Sequence, residues 1–196
     1  MFIYGASGHG KVVCEICQLT GLLVEVLVDD NENLQENWTI PVVRQIPNHT
    51  TEGVLAIGNN SVRKSIADRS FDKIFLIIIH PRANVSPRAV LGSGTVVMAG
   101  ATISVDAKIG SHVVVNTNAS IDHDCILEDY VHVSPNVALS GGVLIGEGTH
   151  IGIGACVIPG VKIGKWTTIG AGSVIIKDVP DNVTVVGNPG RIIKIG

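Results

Sequence analysis

The segment Ser120-Ile121-Asp122-His123-Asp124-Cys125 places one histidine between two acids in a region otherwise rich in valine, isoleucine and glycine. An imidazole that donates one N–H to a carboxylate has a fixed tautomer. The carboxylate also stabilises the cation that forms when the second ring nitrogen accepts a proton. His123 is therefore a candidate general base that either acid could orient. A metal ligand and a solvated histidine on a surface turn are the alternatives.

The region around His123 has a sequence period of six. From Val85 to Ile175 every sixth residue is aliphatic, and the position four residues further on is often small or β-branched. This period fits neither a helix nor a long alternating strand, but it is typical of a stacked β-solenoid with one inward apolar residue per repeat. The pattern resembles the hexapeptide-repeat family, whose members form a left-handed parallel β-helix with three repeats, about 18 residues, per coil. The repeats in this sequence imply about five coils.

The first part of the chain follows a different pattern. Predicted strands and helices alternate over residues 1–80, which is typical of a small, Rossmann-like parallel α/β sheet. Its last predicted strand spans residues 73–79. Pro81 predicts the boundary between this domain, residues 1–80, and a β-helix domain with a C-terminal tail, residues 81–196.

A glycine-rich loop follows the first predicted strand. Glycines at residues 5, 8 and 10 let the backbone turn sharply and approach a phosphate, whose charge is favoured by the N–H groups at the start of a helix. Asp29, about 20 residues further on, stands where a ribose hydroxyl could be bound. His9 strengthens this interpretation, because a turn needs no imidazole. The first domain is predicted to bind the nucleotide portion of a substrate.

The 18-residue coil converts sequence spacing into contacts. Positions 18 apart stack in neighbouring coils, about 4.8 Å from each other, so His123 should lie beside Gly141. That glycine leaves a notch with backbone N–H groups near the base, as the stabilisation of an oxyanion requires. His132 and His150 should also stack. Together with His112 the histidines suggest zinc, but within one chain three of them should not converge, which leaves ligation across a subunit interface as an alternative.

Composition excludes several classes of protein. A net charge of −3 and a pI near 6.1 provide no basic field for nucleic acid. The longest apolar run, residues 74–79, is far shorter than the roughly 20 residues of a membrane span. The N-terminus lacks the features of a signal peptide. We therefore expect a cytoplasmic protein without membrane insertion.

Motifs along the whole chain carry a more specific resemblance. They are "IYGASGHGKV", "VDD", "AIGNN", "IHP", "VNTNASIDHDC", "HVSPNVALSGGV" and "VVGNPGRIIK". In this order they resemble nucleotide-sugar acetyltransferases that act on 4-amino-4,6-dideoxy sugars. The sialic-acid O-acetyltransferases of bacterial capsules belong to the same group.

The resemblance implies a homotrimer that holds a nucleotide-linked amino sugar on the first domain and acetyl-CoA, as cosubstrate, between adjacent solenoids, with no metal. It implies His123 as the base, Asp124 as its partner and Asn116 as a neighbour of the reacting centre. Asp124 replaces the Glu of some relatives. The other implied site residues are Ser7, His9, Asp29, Asp30, Gly58 and Asn59 for the nucleotide sugar, and His132, Gly141, Ile153, Gly170 and Ala171 for acetyl-CoA.

These residues predict direct N-acetylation of the sugar 4-amino group without an acyl-enzyme, because Cys125 and Cys156 fall at small packing positions of their repeats. Three alternatives remain. O-acetylation of sialic acid or another surface-glycan sugar could use the same base, the chain could bind nucleotide sugars without catalysis, or it could be a carbonic anhydrase of the solenoid class, which would need a metal.

Overall fold

The computed structural model describes residues 1–34, 36–37 and 39–195. Its first part is a sheet with two helices. In chain order the elements are β1 (Phe2–Tyr4), α1 (Gly8–Leu19), β2 (Val26–Val28), β3 (Glu36–Asn37), β4 (Ile40–Val43), β5 (Glu52–Leu55), α2 (Asn60–Arg69) and β6 (Ile74–Phe75). The sheet order is β3-β4-β2-β1-β5-β6, with β3 antiparallel to β4 and the other pairs parallel. The carboxyl ends of β1, β2 and β5 therefore meet at one edge, where parallel α/β sheets bind ligands.

The second part is a parallel β-helix with three faces. The first face contains Ile78–Ile79, Val96–Val97, Val114–Val115, His132–Val133, His150–Ile151, Thr168–Ile169 and Val183–Val186, with Arg191–Ile195 antiparallel at its end. The second face contains Asn84–Val85, Thr102–Ile103, Ser120–Ile121, Ala138–Leu139, Cys156–Val157 and Val174–Ile175. The third face contains Val90–Leu91, Lys108–Ile109, Ile126–Leu127, Leu144–Ile145 and Lys162–Ile163.

The period of six explains this architecture. From Val97 to Ile175 each predicted inward aliphatic is at most 3 % exposed, and these side chains form one continuous core. Burial of each contributes about 1.5–3 kcal/mol. The corners recur at the same period, because a residue with positive φ closes each turn from Asp106 to Gly172. Glycine, asparagine and aspartate tolerate this conformation best.

Two sequence predictions need correction. Residues 73–79 do not form one strand, because β6 pairs with β5 whereas Ile78–Ile79 pairs with Val96–Val97 of the solenoid. The solenoid thus begins before the repeat pattern becomes regular, and its second face has six strands, so the number of coils is closer to six than to the predicted five. The β3–β4 hairpin was not predicted.

The two parts are joined through α2. The Asn60 carboxamide donates to the backbone carbonyls of Gly148 and Thr149 at 2.9 and 3.3 Å. The neighbouring Arg63 is fully buried and also bonds to solenoid carbonyls. These bonds fix the carboxyl edge of the α/β sheet against the solenoid.

Candidate active site

His123 and Asp124 form a hydrogen-bonded pair at the corner between the second and third faces. Asp124 has a φ of 59°, so the chain turns between the two residues and the alternation of an extended strand is lost. Their side chains can therefore meet, and the Nδ1–H of His123 donates to Asp124 Oδ2 at 2.8 Å. Aspartate suits this backbone conformation, which gives a local reason for Asp rather than Glu at the position.

The second acid binds the main chain of the same corner. Asp122 Oδ1 accepts the backbone N–H of His123 at 2.7 Å. The hydrogen bond to Asp124 and the charge of Asp122 raise the pKa of the His123 imidazole above its ordinary value of 6.5. Since Nδ1 is engaged, Nε2 is the nitrogen left to accept a proton.

The stacking expected from the 18-residue spacing is present at Gly141. A Cβ added at Gly141 would lie 2.6 Å from both Cε1 and Nε2 of His123. The imidazole therefore occupies the space that any other residue at 141 would fill. The His123 side chain is still 57 % exposed, so its Nε2 is open to an incoming group.

A second cluster lies at the corner between the first and second faces. His132 Nδ1 is 3.1 Å from the Gly58 carbonyl, and its Nε2 is 3.2 Å from Asn116 Nδ2. The His132 ring stacks on His150 with centroids 4.9 Å apart, and His150 Nε2 lies 2.8 Å from Ser134 Oγ. Burial and the neighbouring imidazole lower the pKa of His132 to about 3, so its ring is neutral.

The glycine-rich loop joins this cluster from the α/β sheet. Gly5 has a φ of 111°, and a Cβ on Gly10 would lie 2.0 Å from the Gly5 carbonyl oxygen, so the tight turn requires both glycines. His9, on the first turn of α1, points its ring towards His132 with centroids 6.4 Å apart. Among the described residues its buried Nε2 has no hydrogen-bond partner, and burial beside Arg63 lowers the pKa of His9 to about 4. Ser7 caps α1 without a side-chain bond and is exposed.

The two acids after β2 are bound within the first domain. Asp29 accepts the backbone N–H groups of Ala6 and Asn31 at 2.7 and 2.9 Å, so it shapes the glycine-rich loop. Asp30 accepts the Tyr4 hydroxyl at 3.1 Å. Both residues stand at the carboxyl end of the sheet, beside the glycine-rich loop, and their contacts to a nucleotide sugar stay a prediction.

Gly58 and Asn59 lie between β5 and α2. Gly58 contributes its carbonyl to His132. Asn59 is the N-cap of α2, and its Oδ1 accepts the Val62 N–H at 3.0 Å and the Ser61 hydroxyl at 2.8 Å. This capping bond uses the Asn59 side-chain oxygen and accounts for the residue structurally.

Three further predicted residues continue the corner of His132. Ile153 is 52 % exposed, and its carbonyl accepts the Gly172 N–H at 2.8 Å. Ile153 and Ala171 occupy equivalent positions on neighbouring coils, and Gly170 precedes Ala171. The predicted contacts to acetyl-CoA other than Gly141 thus form a line along this one edge.

The structure therefore brings the predicted residues together in two groups. One group lies at or beside the first–second corner and contains the α/β residues, Asn116, His132 and the line through Ile153. His123, Asp124 and Gly141 lie at the second–third corner of the same chain. Asn116 contacts His132 rather than His123 within one chain.

The remaining histidine of the zinc hypothesis is elsewhere. His112 is buried, stacks on Tyr130 with centroids 5.3 Å apart and meets the edge of Phe75. Within residues 1–34, 36–37 and 39–195 no group of three or more His, Cys, Asp or Glu residues could hold a metal ion. In the same described residues, neither helix is long and apolar enough to cross a membrane.

Arg63 also takes part in this region, in a way that the sequence pattern did not predict. Arg63 donates to the carbonyls of Ile57 and Gly58 beside His132, at 2.7 and 3.5 Å. The one available signal was its place three residues after Asn60, which puts both side chains on one face of α2.

The family of the chain follows from comparison with known proteins. Residues 1–70 match the model of the PglD N-terminal domain, and residues 142–177 match the bacterial transferase hexapeptide model of six repeats. A variant of perosamine N-acetyltransferase from Caulobacter crescentus, solved with CoA and GDP-perosamine, is 38 % identical over 98 % of this chain and 96 % of that one, with a TM-score of 0.93. The chain belongs to the hexapeptide-repeat sugar acetyltransferases.

Other hexapeptide-repeat acetyltransferases agree with this assignment. The acetyltransferase domain of PglB from Neisseria gonorrhoeae is 37 % identical over 98 % of both chains, with a TM-score of 0.91, and has also been solved with acetyl coenzyme A. UDP-N-acetylbacillosamine N-acetyltransferase from Bacillus subtilis is 45 % identical over 110 residues. That match spans 50 % of this chain and 50 % of the curated relative.

Proposed function

We propose that the protein transfers the acetyl group of acetyl-CoA to the 4-amino group of a nucleotide-linked 4-amino-4,6-dideoxy sugar, with His123 as general base. The observation that carries the proposal is the His123–Asp124 pair set over Gly141. In this pair one ring nitrogen of His123 is fixed by the Asp124 carboxylate and the other is free. Beside the ring, position 141 presents backbone in place of a side chain. The names of the relatives, all N-acetyltransferases or acetyltransferase domains, support an amine as the acceptor.

The proposed step is a direct transfer. The sugar amine attacks the thioester carbonyl carbon, and Nε2 of His123 removes a proton from the nitrogen as the tetrahedral intermediate forms. The Gly141 N–H donates to the oxyanion, a contribution that is worth about 10²–10³ in rate for a well-placed donor. Collapse breaks the C–S bond, and the imidazolium returns the proton to the leaving sulfur. The products are the N-acetylated sugar and CoA.

The first domain supplies the nucleotide-sugar contacts in this proposal. Ser7 and His9 stand at the open N-terminus of α1, which has no acidic residue in its first turn and therefore favours an anion such as a diphosphate. Asp29 and Asp30 lie at the same sheet edge. One relative was solved with GDP-perosamine, and another is named for a UDP-linked sugar, so the choice of nucleotide is a separate question.

The proposed enzyme is a homotrimer. His123 and Asn116 sit at opposite ends of the second face, so a single chain cannot bring them to one reacting centre. In a three-fold arrangement with the second faces turned inward, the His123 corner of one chain meets the His132 corner of the next. Acetyl-CoA then lies between adjacent solenoids. A cytoplasmic location is part of the proposal, because acetyl-CoA is made inside the cell.

A panel of acceptors tests the reaction. Purified protein is incubated with acetyl-CoA and UDP-, dTDP- or GDP-linked 4-amino-4,6-dideoxy sugars, and free thiol release is followed. We expect turnover with at least one amino sugar and none with its 4-hydroxy analogue. Turnover with sialic acid alone would replace N-acetylation by O-acetylation.

Substitution at His123 separates an enzyme from a binding scaffold. His123→Asn should lower kcat by about 10²-fold or more, because general-base catalysis contributes about 10²–10⁴-fold. Nucleotide-sugar affinity, measured by calorimetry, should change little, because His123 is assigned to the reacting amine whereas the proposed nucleotide contacts come from the first domain. Unchanged transfer would contradict the assigned base. Carbon dioxide hydration by metal-loaded protein would instead support the carbonic anhydrase alternative.

A further inference from the structure

Arg63 is a fully buried cation that has no carboxylate among its hydrogen-bond partners in the described residues. A guanidinium has five N–H donors, and each meets an uncharged oxygen. Nε donates to His112 O at 2.8 Å, Nη1 to Ile57 O and Gly58 O at 2.7 and 3.5 Å, and Nη2 to Asn60 Oδ1 and Tyr130 O at 2.9 and 2.7 Å.

These acceptors come from both parts of the molecule. Ile57, Gly58 and Asn60 belong to the segment between β5 and α2. His112 and Tyr130 are 18 apart and belong to neighbouring coils of the solenoid. The guanidinium therefore holds the Gly58 carbonyl in place relative to the solenoid strand that carries His132, chiefly through the 2.7 Å bond to the adjacent Ile57 carbonyl. A planar, five-donor group can hold such a geometry, and a lysine ammonium cannot replace it.

The position of the Gly58 carbonyl determines the tautomer of His132. A carbonyl oxygen can only accept, so the His132 nitrogen 3.1 Å away, Nδ1, carries the proton. In the neutral ring Nε2 is then an acceptor for the Asn116 amide at 3.2 Å. The Asn116 orientation agrees independently, because its Oδ1 accepts the Thr117 backbone N–H at 2.8 Å and Nδ2 must therefore face the ring.

Both nitrogens of His132 are thus occupied by protein groups, whereas the Asn116 amide has donated one of its two hydrogens. We propose that Arg63 and His132 are positioning residues: Arg63 fixes the Gly58 carbonyl, this carbonyl sets the His132 tautomer, and His132 holds the Asn116 amide so that its second N–H donates to an oxygen of the bound substrates. The proposal deepens the proposed function and rests on it. It changes the role of His132 from a direct ligand of acetyl-CoA to a support for Asn116.

The tautomer can be measured without activity. Protein labelled with ¹⁵N-histidine gives imidazole correlation spectra in which a protonated nitrogen and an acceptor nitrogen differ strongly. We expect the Nδ1–H tautomer for His132 in the native protein and a mixture in Arg63→Lys. An Nε2–H tautomer in the native protein would overturn the proposal even if Arg63→Lys did not fold, and so would an unchanged Nδ1–H form in folded Arg63→Lys.

Lys64→Met is the matched control. Lys64 is adjacent on α2 and also links that helix to the solenoid, through Glu147 at 3.3 Å and the Tyr130 ring at 4.8 Å, but it does not contact Gly58. The His132 tautomer and kcat should stay as in the native protein. A change of tautomer in Lys64→Met would show that any loosening of α2 has this effect, which contradicts a specific role of Arg63.

Two replacements of His132 separate support from direct action. A glutamine can place its carbonyl oxygen near the position of Nε2 and accept from Asn116, whereas an asparagine reaches only the position of Nδ1. We expect His132→Asn to lower kcat by about 10- to 100-fold, as loss of supporting hydrogen bonds does, with KM for acetyl-CoA little changed. His132→Gln should recover most of this loss. Equal losses, or a loss confined to KM for acetyl-CoA, would overturn the proposal.

The outcomes also distinguish the two proposals. If no acceptor is acetylated by the native protein, the proposed function fails, and the spectra still decide whether Arg63 sets the His132 tautomer. If transfer occurs and the asparagine and glutamine variants behave alike, the function stands and the support of Asn116 by His132 fails.

Discussion

Gly141→Ala tests whether catalysis depends on the notch that holds His123. The new Cβ would lie 2.6 Å from two ring atoms of His123, whereas ordinary contact begins at 3.4 Å. The imidazole must therefore move by about 0.8 Å. Misplacement of a reacting group by about 1 Å can cost about 10²-fold in rate. We expect kcat to fall by about 30- to 100-fold.

The fold should tolerate this change. The His123 side chain is 57 % exposed, so its ring can move into solvent without loss of core contacts. The free energy of unfolding should change by less than about 0.5 kcal/mol, as is usual at the surface. Gly92→Ala is the matched comparison, because its Cβ would lie 2.5 Å from backbone atoms of Gly110 and Ser111, which cannot move aside as a side chain can. That variant should lose about 1–3 kcal/mol of stability through overpacking and keep the kcat of the folded fraction.

The assay is steady-state thiol release with the best acceptor of the panel, combined with thermal unfolding of each variant. A double variant gives the decisive comparison. In a His123→Asn background, Gly141→Ala should cause little further loss of kcat, because both changes act through one ring. A full, independent loss in that background would refute the reasoning, and so would native kcat in Gly141→Ala alone.

Three further predictions concern pH, stability and thiols. Asp124→Asn removes the main cause of the raised pKa of His123, so the acid limb of the pH profile of kcat/KM should move to lower pH while the rate falls. Burial lowers the pKa values of His112 and His132 to about 4 and 3. On acidification from pH 6.5 towards 4 the unfolded chain therefore binds protons that the folded chain does not, and the melting temperature should fall across this interval. A constant melting temperature would contradict buried neutral rings. Cys125 is buried with a pKa raised by burial, but Cys156 is exposed on its strand, so the packing position predicted for Cys156 is wrong. Iodoacetamide should therefore modify Cys156 first and leave acetyl transfer unchanged, whereas inactivation would favour an acyl-enzyme.

Stability should depend strongly on Arg63. Arg63→Ala would remove the donor of three buried bonds, to His112 O, Asn60 Oδ1 and Tyr130 O, and each unsatisfied buried group costs about 1–3 kcal/mol. We expect a loss of several kcal/mol in chemical denaturation, larger than the loss in Lys64→Met, whose ion pair is partly exposed. Equal losses would show that the buried bonds add no more than the surface link.

The repeat pattern was enough to predict the solenoid and the corner that carries His123. A period of six predicts a solenoid in which every repeat buries an aliphatic residue, and the 18-residue coil implied by the family resemblance then sets Gly141 beside His123. The α/β order of the first domain and its glycine loop were equally local signals. Such signals work because each depends on residues that are near in the chain or separated by a fixed repeat.

The way in which the two parts meet became visible in the folded protein and not in the sequence pattern. Residues 57–63 and 112–132 have no common period, so the five bonds of Arg63 and the contact of Gly58 with His132 cannot be found by counting. The strands at Ile74–Phe75 and Ile78–Ile79 are alike in sequence, yet pair with different sheets. The separation of Asn116 from His123 also follows from the three-faced cross-section. Contacts between elements with independent periods are set by packing, and packing is what the sequence pattern does not encode.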